Sequence, residues 1–302
     1  DTLQTFFMIA AVLVMCYVII GELDLREEGV ISTIKNSPYS RIFFFDDWFE
    51  KNYFWKHFLG GIFIAIGMTG LDQDMMQKNL SCKNIKDAQK NMMSFAVILV
   101  FVNLIFLALG ALLYIYAGKT GIGAGVSGDD LFATIAMNPK TGLFIGVLFL
   151  IGLIAAAYSS ADSALTALTT SFSHDIFNFD KKSPAEQLKL RKNVHVFVSL
   201  LLLVIIIVLK YTTTMSAIGQ IMFFAGFTYG PLIAMFFFGI LSKRSLNDKL
   251  VPVMCLVAVG LTIVLWYFSA GGPGAVGTIE NPTGVFGQYK IGFELIILNS
   301  LL

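Results

Sequence analysis

Hydrophobic and polar positions alternate along this chain in long blocks rather than at short period. Apolar runs close to the ~20 residues that a membrane-spanning helix requires occupy residues 2–21, 92–117, 141–161, 194–211, 217–241 and 250–268. Each is predicted to be a transmembrane helix. Two segments depart from the pattern. The stretch 58–71, FLGGIFIAIGMTGL, has 14 residues and is interrupted by Gly60, Gly61, Gly67 and Gly70. At ~1.5 Å per residue it reaches only ~21 Å across a hydrocarbon core of about 30 Å. Followed by DQDMMQK, it reads as a helix unwound at depth; the alternative is a span continuing through Met75 and Met76, with Asp72 and Asp74 at the cytoplasmic surface. The stretch 291–302 begins a span that the sequence does not complete. The expected architecture is an all-α polytopic membrane protein of about eight segments.

The run 141–161 continues without a breaker to about Phe177 and carries AAAYSSADSALTALTTS at 155–171. On a 3.6-residue period Ala156, Ser159, Ser160 and Ser163 share one face, with Asp162 beside them and Thr166 and Thr170 continuing the stripe. A carboxylate at a helix centre costs about 2.5–3.5 kcal/mol on insertion scales, so it needs a partner, a proton or water. Serine oxygens beside a carboxylate suit a hard alkali cation and lack the soft donors of transition-metal sites. The face is therefore expected to hold a sodium ion. Close helix packing, with hydroxyls bonding back to helix carbonyls, is the alternative for each serine taken singly.

Composition narrows the choices. The 302 residues are 56% hydrophobic and 14% charged, against roughly 25% charged in a soluble domain. With a net charge of +1 and no basic face, nucleic acid is excluded as a partner. Lysine and arginine number four in 77–91, five in 178–193 and three in 242–249, which marks those loops as cytoplasmic and runs the first segment from inside to outside. A multi-pass protein of the plasma (inner) membrane is expected. The aromatic and charged run FFFDDWFEKNYFWKHF suits a stretch at the membrane interface, and SAGGPGAVGTIENPTGVFGQ reads as an irregular external loop. Cys16, Cys82 and Cys255 form no even set for a disulfide framework and are expected as free thiols. The chain begins at Asp1 without a methionine and stops inside an apolar stretch, which predicts a piece of something longer.

On these residues the sequence resembles the sodium:solute symporter family, which includes sodium-coupled sugar, proline and sialic acid carriers. The likeness rests on GLDQDMMQKNLSCKNIKDAQKN after the short span, with Gly70, Gln73 and Gln77; on AAAYSSADSALTALTTSFSHDIF; and on the opening DTLQTFF. It implies a leucine-transporter-type fold of two inverted five-helix repeats. Residues 1–21 would then be the last helix of the first repeat, 58–241 the second repeat, and 250–302 appended helices. Ala156 would supply a carbonyl, and Ser159 and Ser160 oxygens, to sodium. Asp1 and Ser163 match a second cation pattern of some members, and Asp162 stands where such members have a serine, a departure that would either strengthen that site or make it a proton site. The solute pocket would include Met68, Thr69 and Gln73, with Gln220 opposite. The asparagine, tyrosine and lysine of sugar-binding members fall on Ala65, Met68 and Leu99, so sugar recognition of that kind is not expected.

The implied activity is sodium-coupled symport of a small organic solute by alternating access, in which occupied cation oxygens lock the long helix against the broken one. A symporter-like sensor domain without transport is the second reading. An intramembrane aspartyl protease is a third, opposed by the spacing of GLDQD and by His57, His174 and His195 standing apart from any nucleophile.

Overall fold

The structure, a computed structural model, describes residues 2–25, 29–126, 128–177, 179–212, 216–277 and 282–302. All eight apolar segments are helical. The helices are α1 (Thr2–Glu22), α2 (Val30–Lys35), α3 (Phe54–Ala65), α4 (Gln73–Leu80), α5 (Ile85–Thr120), α6 (Asp129–Ala136), α7 (Leu143–Ser171), α8 (Pro184–Thr212), α9 (Ala217–Leu241), α10 (Val251–Tyr267) and α11 (Leu295–Leu301). Five of them, α1, α5, α7, α8 and α9, are long and apolar enough to cross a bilayer. A bilayer leaves no water for backbone groups, and a helix satisfies them within one segment.

Local chemistry sets the ends. Asn84 caps α5 by accepting the Asp87 N–H at 2.9 Å, and Gly121, at φ 76°, closes the same helix in the left-handed conformation that favours glycine. Ser216 caps α9 through the Gly219 N–H at 3.2 Å. Among its described residues the expected external loop holds a short antiparallel pair, β1 (Val276–Gly277) with β2 (Pro282–Thr283), and an isolated bridge between Gly284 and Gly287.

The chain divides into two compact units, one of residues 1–40 and 79–214 and the other of 41–78 and 215–302. The predicted second repeat, 58–241, contributes to both. In the first unit Val12, Met15 and Ile19 of α1 bury against Leu109, Leu112 and Tyr116 of α5 and Leu131 and Ile135 of α6. Antiparallel packing of α1 on α7 follows from two observations: a Cβ on Gly152 would lie 3.6 Å from Met8, while Ile145 joins the cluster around Met15 and Ile19. Much aliphatic surface stays open, as on α8, where Leu200, Leu203, Val204 and Ile206 are each more than half exposed. Such faces suit lipid, which is as apolar as leucine.

In the second unit the short apolar segment is interrupted near its end. Helix α3 passes into a π-helical turn at Ile66–Gly70, the chain breaks at Leu71 and Asp72, and α4 restarts with the Asp72 carboxylate accepting the Met75 N–H at 3.1 Å. The interruption is thus a widened turn and a two-residue break rather than a long unwound stretch, and the uninterrupted span through Met75 and Met76 is not what forms. Glycine supplies the reason: a Cβ on Gly67 would sit 3.2 Å from the Tyr229 ring of α9, so the turn needs a bare backbone there. Behind it Ile64, Ile233 and Ile296 form a buried cluster.

Candidate functional site

The stripe on α7 begins where the helix packs against α1. Gly152, Leu153 and Ala156 line a cavity of about 150 Å³ with Met8, Ala11, Val12, Phe106, Phe132 and Phe149. Every one of those side chains is apolar, so the cavity offers an ion no side-chain oxygen. One turn further along the same face come Ser159 and Ser160, then Ser163, with Asp162 beside them. Ala156, Ser159 and Ser163 are partly buried, and Ser160 and Asp162 are exposed within the first unit. The helix is regular across them, so the Ala156 carbonyl already accepts one helix bond and has a single lone pair left for another partner. The antiparallel register that sets Met8 against Gly152 brings the first turn of α1 level with Ala156 and Ser159. Asp1 itself lies outside the described residues.

Farther along α7 the hydroxyls serve packing. Thr169 is buried, with its Oγ1 3.2 Å from Nδ1 of His195 on α8, and Thr170 Oγ1 donates to the Thr166 carbonyl at 2.8 Å. The helix then passes into a second π turn at Phe172–Ile176. The stripe therefore has two parts, the oxygens at Ser159–Ser163, of which Ser160 and Asp162 are exposed, and the hydroxyls of Thr169 and Thr170, which are engaged by His195 and by the helix backbone. Among the described residues no three His, Cys, Asp or Glu side chains gather as a metal cluster, so the donors on α7 are hydroxyls, carbonyls and one carboxylate.

The four residues expected to meet a solute lie in the second unit. Met68 and Thr69 occupy the π turn, Gln73 opens α4 and is exposed, and Gln220 lies in the first turn of α9. Met68 packs against the cluster of Ile64, Ile233 and Ile296 together with Met222 and Tyr229, so the π turn and α9 meet at this methionine. The side chain of Asp74 lies outside the described residues.

Comparison with known proteins decides what this arrangement belongs to. The profile described as the sodium:solute symporter family matches residues 1–249. The chain belongs to the sodium:solute symporter family. It is 26% identical over 221 residues to the sodium/sialic acid symporter NanT of Aliivibrio fischeri, covering 70% of this chain and 42% of that protein. It is 24% identical over 192 residues to the sodium/sialic acid symporter SiaT of Proteus mirabilis, covering 62% and 38%. The chain thus spans about two fifths of the length of these relatives. The family and both of these relatives are named as symporters, not as enzymes.

Sequence reasoning missed a charged cluster on the second unit of this symporter-family chain. Lys56, in the first turns of α3, is 6% exposed. Its Nζ donates to the Lys290 carbonyl at 2.9 Å and the Phe49 carbonyl at 3.4 Å, lies 3.6 Å from the centre of the Tyr289 ring, and stands 3.9 Å from Oε1 of Glu294. That oxygen also accepts from the Tyr289 hydroxyl at 3.0 Å and the Gly292 N–H at 2.9 Å, whereas Oε2 is buried without a partner among the described residues. Burial pushes the Lys56 ammonium below the ordinary lysine value, with Glu294, Asp47 and Glu50 partly offsetting it, and burial beside Glu294 pushes the Tyr289 hydroxyl up. Trp48, Phe49, Phe286 and Tyr289 line a cavity of about 540 Å³ against this cluster. The signal in the sequence was a lysine amid aromatics, but Lys290, the source of its shorter hydrogen bond, lies 234 residues away.

Proposed function

We propose that this chain is the ion- and solute-handling part of a sodium-coupled symporter that moves a small organic solute across the plasma membrane by alternating access. The observation that carries the reading is the exposure of the Ser160 hydroxyl and the Asp162 carboxylate, with Ser159 partly buried beside them, on a helix that is otherwise a regular apolar span. Sodium is bound as a co-transported substrate by the Ala156 carbonyl and the Ser159 and Ser160 hydroxyls, hard oxygen donors that suit it. Asp162 and Ser163, with Asp1, form the second cation or proton position. Met68, Thr69, Gln73 and Gln220 contact the solute, and the π turn supports this because interrupted helices are where secondary transporters place polar ligands. The leucine-transporter-type repeat, with residues 1–21 closing one repeat and 58–241 forming the other, belongs to the same reading, as do the cytoplasmic loops marked by lysine and arginine. The names of the two relatives make sialic acid the first solute to test.

Coupling then requires that occupancy of the α7 oxygens change the affinity for the solute, and by thermodynamic reciprocity that the solute change the affinity for sodium. The test is uptake by the full-length protein in proteoliposomes with and without a sodium gradient. Ser160→Ala is expected to raise the sodium concentration for half-maximal uptake by about tenfold, as for loss of ~1.4 kcal/mol. An unchanged sodium dependence removes Ser160 from the site, and solute binding without gradient-driven uptake overturns the transport reading.

A further inference from the structure

Helix α9 contains Pro231, which has no N–H to give to the carbonyl of Phe227 one turn earlier. In a bilayer that orphaned carbonyl finds no water. Here it is satisfied from another helix: the side-chain amide of Asn299, on α11, donates to the Phe227 carbonyl at 2.6 Å and to the Gly226 carbonyl at 3.1 Å. Both neighbours are acceptors, so the NH₂ end of the amide must be the one that faces them. Asn299 is 1% exposed, and it reaches α9 only because residue 230 is glycine; a Cβ there would lie 2.4 Å from its Cγ. Its other end is bare, since Oδ1 is buried with no partner among the described residues.

We propose that Asn299 is a latch on a hinge in α9. Proline is the usual place for a helix to bend, and at this proline the missing bond is supplied from α11 and not from within α9. The amide is held through its donor end alone, so opening it breaks two hydrogen bonds and at the same time frees the bare Oδ1 to find a donor. The latch thus gives α9 two states. In the closed state the two halves of α9 are fixed to each other by α11. In the open state the half that precedes Pro231 is free to pivot. The inference does not depend on the ion or on the solute.

The test is a double-mutant cycle on the full-length protein in detergent, with Asn299→Ala, Pro231→Ala and the pair, read by thermal unfolding and by amide hydrogen exchange over residues 223–232. Asn299→Ala is expected to lower the unfolding midpoint and to speed exchange in that segment about tenfold, near the upper range of hydrogen-bond coupling within membranes. With Pro231→Ala in place residue 231 recovers its N–H, and the effect of Asn299→Ala should fall to less than half. Equal effects in the two backgrounds overturn the latch. If Asn299→Ala does not accumulate as folded protein, Gly230→Ala displaces the amide by crowding while leaving both partners present; unaltered exchange at 223–232 in that variant also overturns it.

Discussion

Replacing Lys56 by methionine keeps the apolar stem and removes the ammonium, and the structure allows the consequence to be worked out. The variant loses charge-assisted hydrogen bonds to the Lys290 and Phe49 carbonyls, of a class that contributes about 1.5–3 kcal/mol. It also loses a cation–π contact at 3.6 Å, for which ~2 kcal/mol applies when the cation is desolvated. Glu294, 14% exposed, is then left without its ammonium neighbour and, among the described residues, with donors on Oε1 alone. These contributions overlap, so the expected loss is about 3–5 kcal/mol, the range for breaking a buried ion pair on one side. The assay is reversible chemical unfolding of the full-length protein in mixed micelles. Adding Glu294→Gln removes the stranded charge and should recover about 1–2 kcal/mol, a coupling of ordinary size for residues in contact. A loss below about 1 kcal/mol for Lys56→Met, or strict additivity with Glu294→Gln, refutes the picture of a desolvated lysine pinning α3 to the 289–294 turn.

Other expectations follow from single contacts. Gly60→Ala would place a Cβ 2.6 Å from the backbone of Phe293 and should destabilise by about 2 kcal/mol, while Gly61→Ala, with nothing within 4 Å, should be neutral or slightly stabilising; the same unfolding assay compares them. Tyr289 has its pKa raised, so its contribution is complete below the ordinary tyrosine value of about 10 and declines as pH rises above it towards the elevated folded value. Melting curves from pH 8 to 11 should therefore converge between the parent and Tyr289→Phe as pH rises, and the difference between the curves cancels Lys56, whose lowered pKa acts in the opposite sense. Asn84→Ala removes the cap of α5 and should cost about 1 kcal/mol, visible as faster hydrogen exchange of the Asp87 amide.

The π turn shows where sequence and structure part. Four glycines in fourteen residues announced an interruption, because glycine lowers the helix's own preference wherever it stands. Which glycine would matter was not legible. Gly67 is required by the Tyr229 ring and Gly60 by the Phe293 backbone, whereas Gly61 and Gly70 face open space. The stripe on α7 was legible as a periodic face, yet Thr169 belongs with His195 in packing while Ser160 stays exposed, a distinction that depends on which helix arrives opposite.

By itself the sequence determined where the apolar helical segments lie, though not where each helix begins, since the bilayer's thickness and its want of hydrogen-bonding partners act on each apolar run separately while α5 and α8 start in the polar residues before theirs. It also carried the family likeness and the α7 stripe, both written in contiguous residues. The tertiary structure alone decided the Lys56 cluster and the Asn299 bond to α9. Each joins groups more than 70 residues apart, and a buried polar group is satisfied by whatever packing brings within about 3 Å, a distance that no local pattern encodes.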